Sequence, residues 1–431
     1  MRTAPPTATH TTLRYHIDRP KDFARFSNTL LRVVGWCFAR KGSPQVCSLR
    51  VRCDNGLLLT APVSLPRPEV KKAYPDVPGD FVGFELRGIL PSGQQKIVLE
   101  ALLEDGSAQT LVTCQVHIPK KILPLWLRPA PFYELFESQV SNQPLYPPRP
   151  IAPETFPKVP PRERLRDASP RFSIVTPSYN QARWLGETIQ SVLDQPGVQV
   201  DYVVQDGGST DGSVALIERH AARLHAWESG PDGGQSNAII KGFAKTTGGP
   251  DDIMAWINSD DFYLPGALRY VARYFAAHPE VDAVYGHRII VDGDSQEVSR
   301  WVLPKHDPKL LLINDCVPQE TLFWRRRLWD KVGGLNPDYH YAMDWELLLR
   351  FQAAGARIVR LPYFLGCFRV HEMQKSYAAI GSGVDREGLE LRQRTLGKAR
   401  FWKSISKHPR MLWFLRRAAF TEWLWKRGIR I

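Results

Sequence analysis

Asp260 and Asp261 close the run MAWINSDDF, at the point where an apolar stretch beginning at Met254 leaves the protein interior. Adjacent carboxylates repel one another, and burying either one unpaired costs several kcal/mol. Something positive should be waiting beside them. Read alone, the pair is also compatible with a solvated helix N-terminus ahead of LPGALRYVARYF, where the helix dipole favours acids. Other residues carry comparable possibilities. Asp344 and, two residues on, Glu346 in AMDWELLLR place two acids where they suit the first turn of a helix. Asp206 in VDYVVQDGG is flanked by glycines that let a ligand approach the backbone, although QDGGSTDGS also reads as a turn with Ser209 or Asp211 capping the next helix.

The elements that must position these residues follow a strand-then-helix alternation from Arg171 onward. FSIVTPS, VDYVVQDGG and DIMAWINSDD are continuously apolar runs that end in polar residues. Between them lie ARWLGETIQSVLDQ, with Trp184, Leu185, Ile189, Val192 and Leu193 on one face, SVALIERHAARL and AIIKGFAKTT. This pattern predicts a parallel sheet covered by helices on both faces, and ligands of such sheets bind at the carboxyl ends of the strands. Three strand ends are therefore expected to converge on one crevice.

Seven segments in order carry a resemblance: TPSYNQ, QDGGSTDGS, ESGPDGGQSNAIIKGF, WINSDD, PQETLFWRRRLWDKVGGLN, YAMDWELLLR and FRVHEMQKS. Together they resemble the family 2 glycosyltransferases, inverting enzymes of the GT-A fold, over roughly half the chain. The resemblance implies a Rossmann-like α/β domain that binds a nucleotide sugar carried on UDP, GDP or dTDP. A carboxylate at a strand end reaches the donor's diphosphate only through a divalent cation. Asp260 would be the direct ligand to Mn²⁺ or Mg²⁺, His371 would complete the metal site, and Asp261 would support it or touch the donor sugar. Asp206 would accept hydrogen bonds from the base, with Thr176, Ser178, Tyr179 and Asn180 lining base and ribose. Gln235 and Asn237 match positions facing the donor, and Gln319 and Glu320 match positions near the donor sugar or acceptor. Asp344 occupies the place of the catalytic base that takes the acceptor's proton in a single displacement. Three residues depart from the family's usual pattern: Asn258, Ile240 and Met343 stand where relatives often carry Asp or Glu, Asn, and an acid. They keep open the alternative of a non-catalytic nucleotide- or glycan-binding protein.

The chain has 431 residues, 43% of them hydrophobic, enough to bury a large core in two or three domains. Residues 1–120 alternate short apolar runs with Asp-Asn-Gly and Glu-Asp-Gly turns, which predicts an all-β sandwich, an accessory domain. Residues 121–170 are a linker whose nine prolines between Pro144 and Pro170 suit an extended spacer. The transferase-like domain is expected over 171–380, followed by a basic, Trp-rich helical segment over 381–431. Of the formal charge of +13, a net +9 lies between Leu396 and Ile431, where ten Lys/Arg face the single acid Glu422. Trp402, Trp413, Trp423 and Trp425 interleave with these cations, a composition suited to the headgroup layer of an anionic membrane. Nucleic acid is the rival partner, but no nucleic-acid-binding fold accompanies the segment. The acceptor is expected to be a glycan or lipid-linked saccharide. Six scattered cysteines with no C-x-x-C pair read as reduced thiols. The N-terminus has no signal-like apolar region and no run is long enough to span a membrane, so the expectation is a cytoplasmic protein peripheral to the inner face of the membrane.

Overall fold

The computed structural model describes residues 12–20, 30–54, 58–63, 65–74, 76–77, 81–89, 93–118, 148–157, 170–371, 383–397, 405 and 408–431. Two compact units divide them, one holding the strands from Leu13 to Ile118, the other running from Pro148 to Ile431. The first unit is all-β, as period-two patterning requires. Its strands are β1 (Leu13–Arg19), β2 (Leu30–Ala39), β3 (Val46–Cys53), β4 (Leu58–Pro62), β5 (Leu65–Pro66), β6 (Phe81–Ile89), β7 (Gly93–Leu103) and β8 (Ala108–Ile118). They form two antiparallel sheets, ordered β1-β2-β6-β5 and β4-β3-β7-β8. Alternate residues point inward, and Leu31, Val33, Leu49, Val51, Leu86 and Leu99 share one core. All six cysteines of the chain are free thiols.

The second unit is a mixed α/β layer structure. Its strands are β9 (Phe172–Ser178), β10 (Val200–Asp206), β11 (Ala226–Ser229), β12 (Ile253–Trp256), β13 (Phe262–Tyr263), β14 (Ala283–Val291), β15 (Glu297–Trp301), β16 (Phe323–Arg325) and β17 (Ile358–Arg369). The sheet order is β11-β10-β9-β12-β16-β14-β17-β13, with β15 paired to β14. The first four strands run parallel, and every residue of β9 is buried. Helices Ala182–Leu193, Ser213–His220 and Ala267–Ala277 cover one face through Leu185, Ile189, Ile217, Val271 and Phe275. Helices Gln235–Ala244 and Met343–Ala353 cover the other through Ile239, Phe243, Leu347 and Leu348.

The three strands read from the sequence, β9, β10 and β12, pair parallel as expected, and the rest of the sheet adds antiparallel strands. β16 runs antiparallel between β12 and β14, and β13 and β15 also pair antiparallel. The β14–β15 connection shows the cause. Asp292 accepts from the amides of Asp294 and Gln296, and Ser295 takes a φ of 62°. So tight a turn can only return the chain antiparallel, because parallel pairing needs a crossover of a dozen residues or more. The described part of the proline-rich stretch is not a free spacer. Arg149 exchanges backbone hydrogen bonds with Glu297, and Ile151 and Phe156 pack beside Phe262 and Phe364.

The Gln235–Ala244 helix approaches β9 through Gly242, where an added Cβ would lie 2.4 Å from Val175 Cγ1. Alanine ordinarily gains about 1 kcal/mol over glycine in a helix. Overpacking a filled core costs about 1–3 kcal/mol, so the clash should win. Gly242→Ala is expected to lower the urea-unfolding free energy despite its better helix propensity; a variant as stable as the parent would show that the helix can ride off the strand.

Candidate active site

The carboxyl ends of β9, β10 and β12 open into one crevice of about 800 Å³, a volume typical of small-molecule sites. At the end of β9, Ser178 and Tyr179 line it: Ser178 is buried with its hydroxyl unbonded, and Tyr179 is 62% exposed at the lip. Gly207 follows β10 and packs so tightly that a Cβ would meet Asp232 Oδ2 at 3.1 Å and the Tyr179 ring at 3.3 Å. Asp206 itself is sealed. Its carboxylate accepts from the amides of Gly208 and Ser209 and from the hydroxyls of Ser209 and Ser229. Asn180, at φ 52°, joins the same stitching: its amide bonds Ser209 Oγ and its side chain accepts from Thr210 N. Thr176 is turned away from the crevice, its hydroxyl 2.8 Å from Tyr202 Oη. Asn237 donates back to Gly233 O, and Ile240 packs against the core. Of the residues expected to face a donor, the crevice therefore gathers Ser178, Tyr179, Gln235, Asp260, Asp261, Gln319 and Asp344, and leaves Thr176, Asn180, Asp206 and Asn237 behind its walls.

A chain of amides makes the floor. Gln235 Nε2 donates to Asn258 Oδ1 at 2.8 Å, Asn258 Nδ2 reaches Gln319 Oε1 and Asp261 Oδ2, and Gln319 Nε2 donates to Trp256 O. An acid in place of Asn258 would repel Asp261 here; the amide bonds it. Asp261 is almost fully buried and accepts from Arg369 N. Burial, then the charges of Asp260 and Glu320, push its pKa well above the usual carboxylate range.

Asp260 meets His371 at the crevice edge, with Nε2 and Oδ2 3.0 Å apart. The other ring nitrogen of His371 is buried without a partner. Arg369 answers the opening problem of the paired acids, but through the backbone. It is fully buried, donates to Asp260 O, Asp292 O and Ser295 Oγ, and pairs with Glu187. Both Asp260 and His371 keep their side chains for each other or for a ligand.

Across the crevice stand Asp344 and three residues that motif reading passed over or left undefined. Asp344 opens the Met343–Ala353 helix and accepts from Trp345 N. Burial lifts its pKa, with the Trp345 and Asp344 amides pulling it back. Asp315, in the same cavity, is lifted further by burial and then by Asp344. Arg288 is clamped by Glu320 through Nε–Oε1 (2.8 Å) and Nη2–Oε2 (2.5 Å), and its guanidinium lies 4.6 Å from the Trp301 ring centroid and 4.3 Å from that of Phe368. The signal for Arg288 was present as a charge inside the otherwise apolar strand YGHRIIV, since a buried arginine demands a partner. Six carboxylates (Asp232, Asp260, Asp261, Asp315, Glu320 and Asp344) thus line the crevice against one arginine. Such a site repels an anion unless a cation enters with it.

The loop before Asp344 is held from a distant helix. Glu387, on Gly383–Leu396, accepts from the amides of His340, Tyr341 and Ala342, and Glu390 accepts from Tyr339 Oη. Glu346 faces Arg350 and Arg394, so it is committed to ion pairs and not to the crevice.

Residues 173–341 match the model of glycosyl transferase family 2. An uncharacterized glycosyltransferase of Mycobacterium tuberculosis is 26% identical over 260 residues, covering 55% of this chain and 97% of that protein. A PGL/p-HBAD biosynthesis glycosyltransferase of Mycobacterium bovis is 28% identical over 231 residues, covering 52% of this chain and 84% of its own. Among solved structures, the mannosyltransferase PcManGT from Pyrobaculum calidifontis, in complex with GDP-Man and Mn²⁺, aligns over 67% of this chain and 80% of that one, with 18% identity and a TM-score of 0.43.

Removing one member of the Arg288–Glu320 pair leaves the other buried and unpaired. Glu320→Ala is expected to cost about 3–5 kcal/mol of stability in chemical denaturation, whereas Arg288→Met combined with Glu320→Leu should cost much less. Equal losses in the single and double variants would mean the pair is not buried as described.

Proposed function

We propose that the chain, whose residues 173–341 match the family 2 glycosyltransferase model, transfers a sugar, with inversion, from a nucleotide-sugar donor to a glycan or lipid-linked acceptor. The observation that carries the reading is the placement of Asp260 and Asp344 on the same acid-rich crevice. The donor sugar and diphosphate would enter along the amide floor of Gln235, Asn258 and Gln319, with Tyr179 and the unbonded Ser178 hydroxyl at the nucleoside end. Inversion needs one carboxylate to take the acceptor proton as the nucleoside diphosphate departs. Asp344 has no side-chain donor among the described residues, and its raised pKa makes it a better base than an exposed aspartate.

The residues at Asp260 fit a divalent cation. A carboxylate oxygen and an imidazole nitrogen converge within 3.0 Å, and the described residues offer no cluster of three His, Cys, Asp or Glu, so diphosphate oxygens would supply the remaining ligands. Asp260 and His371 would hold Mn²⁺ or Mg²⁺, which when bound offsets charge on the leaving diphosphate. Arg369 fixes the Asp260 backbone for that role.

The relative named for PGL/p-HBAD biosynthesis supports an acceptor from cell-surface glycolipid or polysaccharide assembly. The Pro409–Lys426 helix fits a membrane-facing role. It buries Met411, Phe414 and Ala418, turns Trp425 onto Phe364, and exposes Trp413, Phe420 and Trp423. No described helix is long and apolar enough to cross a membrane, so association would be peripheral, through these rings and the cations beside them. Trp402 lies outside the described residues.

Asp344→Asn should lower kcat by about 10²–10⁴-fold while donor affinity, measured by calorimetry, stays within a few-fold. Undiminished turnover would refute the assignment. The pH profile follows from the direction of the Asp344 shift: the base must be ionised, so kcat falls as pH drops through its raised pKa, and the acid limb should lie above the usual carboxylate range. An acid limb that survives unchanged in Asp344→Asn would assign the titration to another group. His371→Ala should raise the Mn²⁺ concentration needed for half-maximal donor binding by about 10-fold or more; an unchanged requirement would remove His371 from the metal corner.

A further inference from the structure

Burying an arginine without a counter-charge is costly, and buried charges in folded proteins are normally paired. Arg360, on β17, breaks this rule. It is 5% exposed, its Nε donates to Pro304 O, and both Nη1 and Nη2 find no hydrogen-bond partner. Its surroundings contain more positive charge. Burial, with Arg417 among its neighbours, lowers the Arg360 pKa to about 10. His287, fully buried with Nε2 unbonded, feels both Arg360 and Arg430. Tyr285 and Tyr270 are the groups that offset Arg360, which pairs with no carboxylate among the described residues.

This cluster adjoins a cleft of about 620 Å³ between the His306–Pro308 turn and the start of the Pro409–Lys426 helix. Tyr285 Oη, near Arg360 and then Cys316, Asp315 and Arg417, lies 3.3 Å from His306 Nδ1, and His306 and Arg417 both line the cleft with His408, Arg410 and the exposed Trp413. Its single acid, Asp307, is already engaged. Arg410 Nη1 reaches both of its oxygens, and Asp307 caps Lys309 N and Leu310 N. Arg417 meets no carboxylate among the described residues.

We propose that this cleft binds a phosphate-type anion, for which Arg417 and the cations behind it supply charge that the described chain does not balance. Planar guanidinium groups suit phosphate oxygens. Trp413 at the rim, on the helix whose outer face exposes Phe420 and Trp423, makes a lipid headgroup one source of that phosphate and a free phosphate-bearing solute the other. The site lies outside the crevice, so its fate is separable from that of transfer.

The test uses the full chain. Thermal unfolding of the wild type in sodium phosphate and in sodium chloride of equal ionic strength should show a saturable rise in Tm with phosphate alone. Arg417→Gln should weaken inorganic phosphate about tenfold, while Arg427→Gln, whose side chain lies over Trp423, should not. Sedimentation with phosphatidylglycerol vesicles distinguishes the sources. If the headgroup fills the cleft, Arg417→Gln weakens vesicle binding more than Arg427→Gln and inorganic phosphate competes; if a solute fills it, the two variants bind vesicles alike. Phosphate stabilising no more than chloride overturns the proposal, as does equal loss of phosphate affinity in both variants. The wild-type comparison decides the matter even if Arg417→Gln folds poorly.

Discussion

Six carboxylates facing one arginine make the crevice electrostatically unbalanced, and most of the second unit is arranged around that imbalance. Desolvation makes it worse, since Asp261, Asp315 and Asp344 all sit above their ordinary pKa values. A structure can relieve such strain by pairing each acid with a base, but this one does so selectively. Arg288 neutralises Glu320, which is 1% exposed, as is Asp261. Arg369 has the charge to neutralise Asp260 or Asp261, yet its guanidinium donates to main-chain carbonyls, Ser295 and Glu187, and Asp261 receives its backbone amide. The carboxylate turn is thereby held rigid while its charge is left unsatisfied. That is the arrangement expected where a cation and an anionic donor arrive together, because preorganised groups need no rearrangement at the moment of reaction.

The same separation of holding from reacting recurs on the opposite wall. Asp344 sits at a helix start whose preceding amides would otherwise lack partners, and Glu387 accepts three of them from more than forty residues away. Trp345, next to Asp344, is pinned by Nε1 to Leu311 O, and Glu346 is tied to Arg350 and Arg394. Every neighbour of the proposed base is committed to structure. Asp206 and Asn180 do comparable work at the carboxyl ends of β9 and β10, where they bind two loops to each other. A carboxylate at a strand end can therefore matter by shaping the loop, even when its oxygens never face the solvent.

What was legible in the sequence was what local pattern encodes. Continuous apolar runs ending in Ser178, Asp206 and Asp260 gave β9, β10 and β12 and the shared crevice at their ends. Period-two alternation likewise gave the first unit's two sheets. What was not legible depends on partners far along the chain. Thr176 shares its sheet face with Ile174, where Tyr202 waits, and nothing local reveals that contact. Arg288 and Glu320 are 32 residues apart and are brought together where β14 pairs with β16. The antiparallel insertion of β16 follows from chain reversal, not from the hydrophobicity of Phe323 and Trp324. Asp315, four residues ahead of Gln319, lacked any periodic signal and becomes noticeable only beside Asp344.

Charge read as a sum misleads in the same way at the C-terminus. Ten cations against one acid suggest a uniform field, but the structure divides those among its described residues by what they touch. Arg410 is neutralised by Asp307 and Lys426 by Glu422, while Arg427 and Arg430 lie over Trp423 and Trp425. Those cations are consumed by the helix's own attachment. The imbalance that survives is local, centred on Arg417 and continued inward by Arg360 and His287, where no acid of the described chain follows. A diffuse attraction to an anionic surface requires only that net charge exceed zero, and any of the ten could supply it. A cleft lined by Arg417, with Arg360 buried behind it, instead favours an anion at one place, and that stricter demand distinguishes a specific site from diffuse attraction.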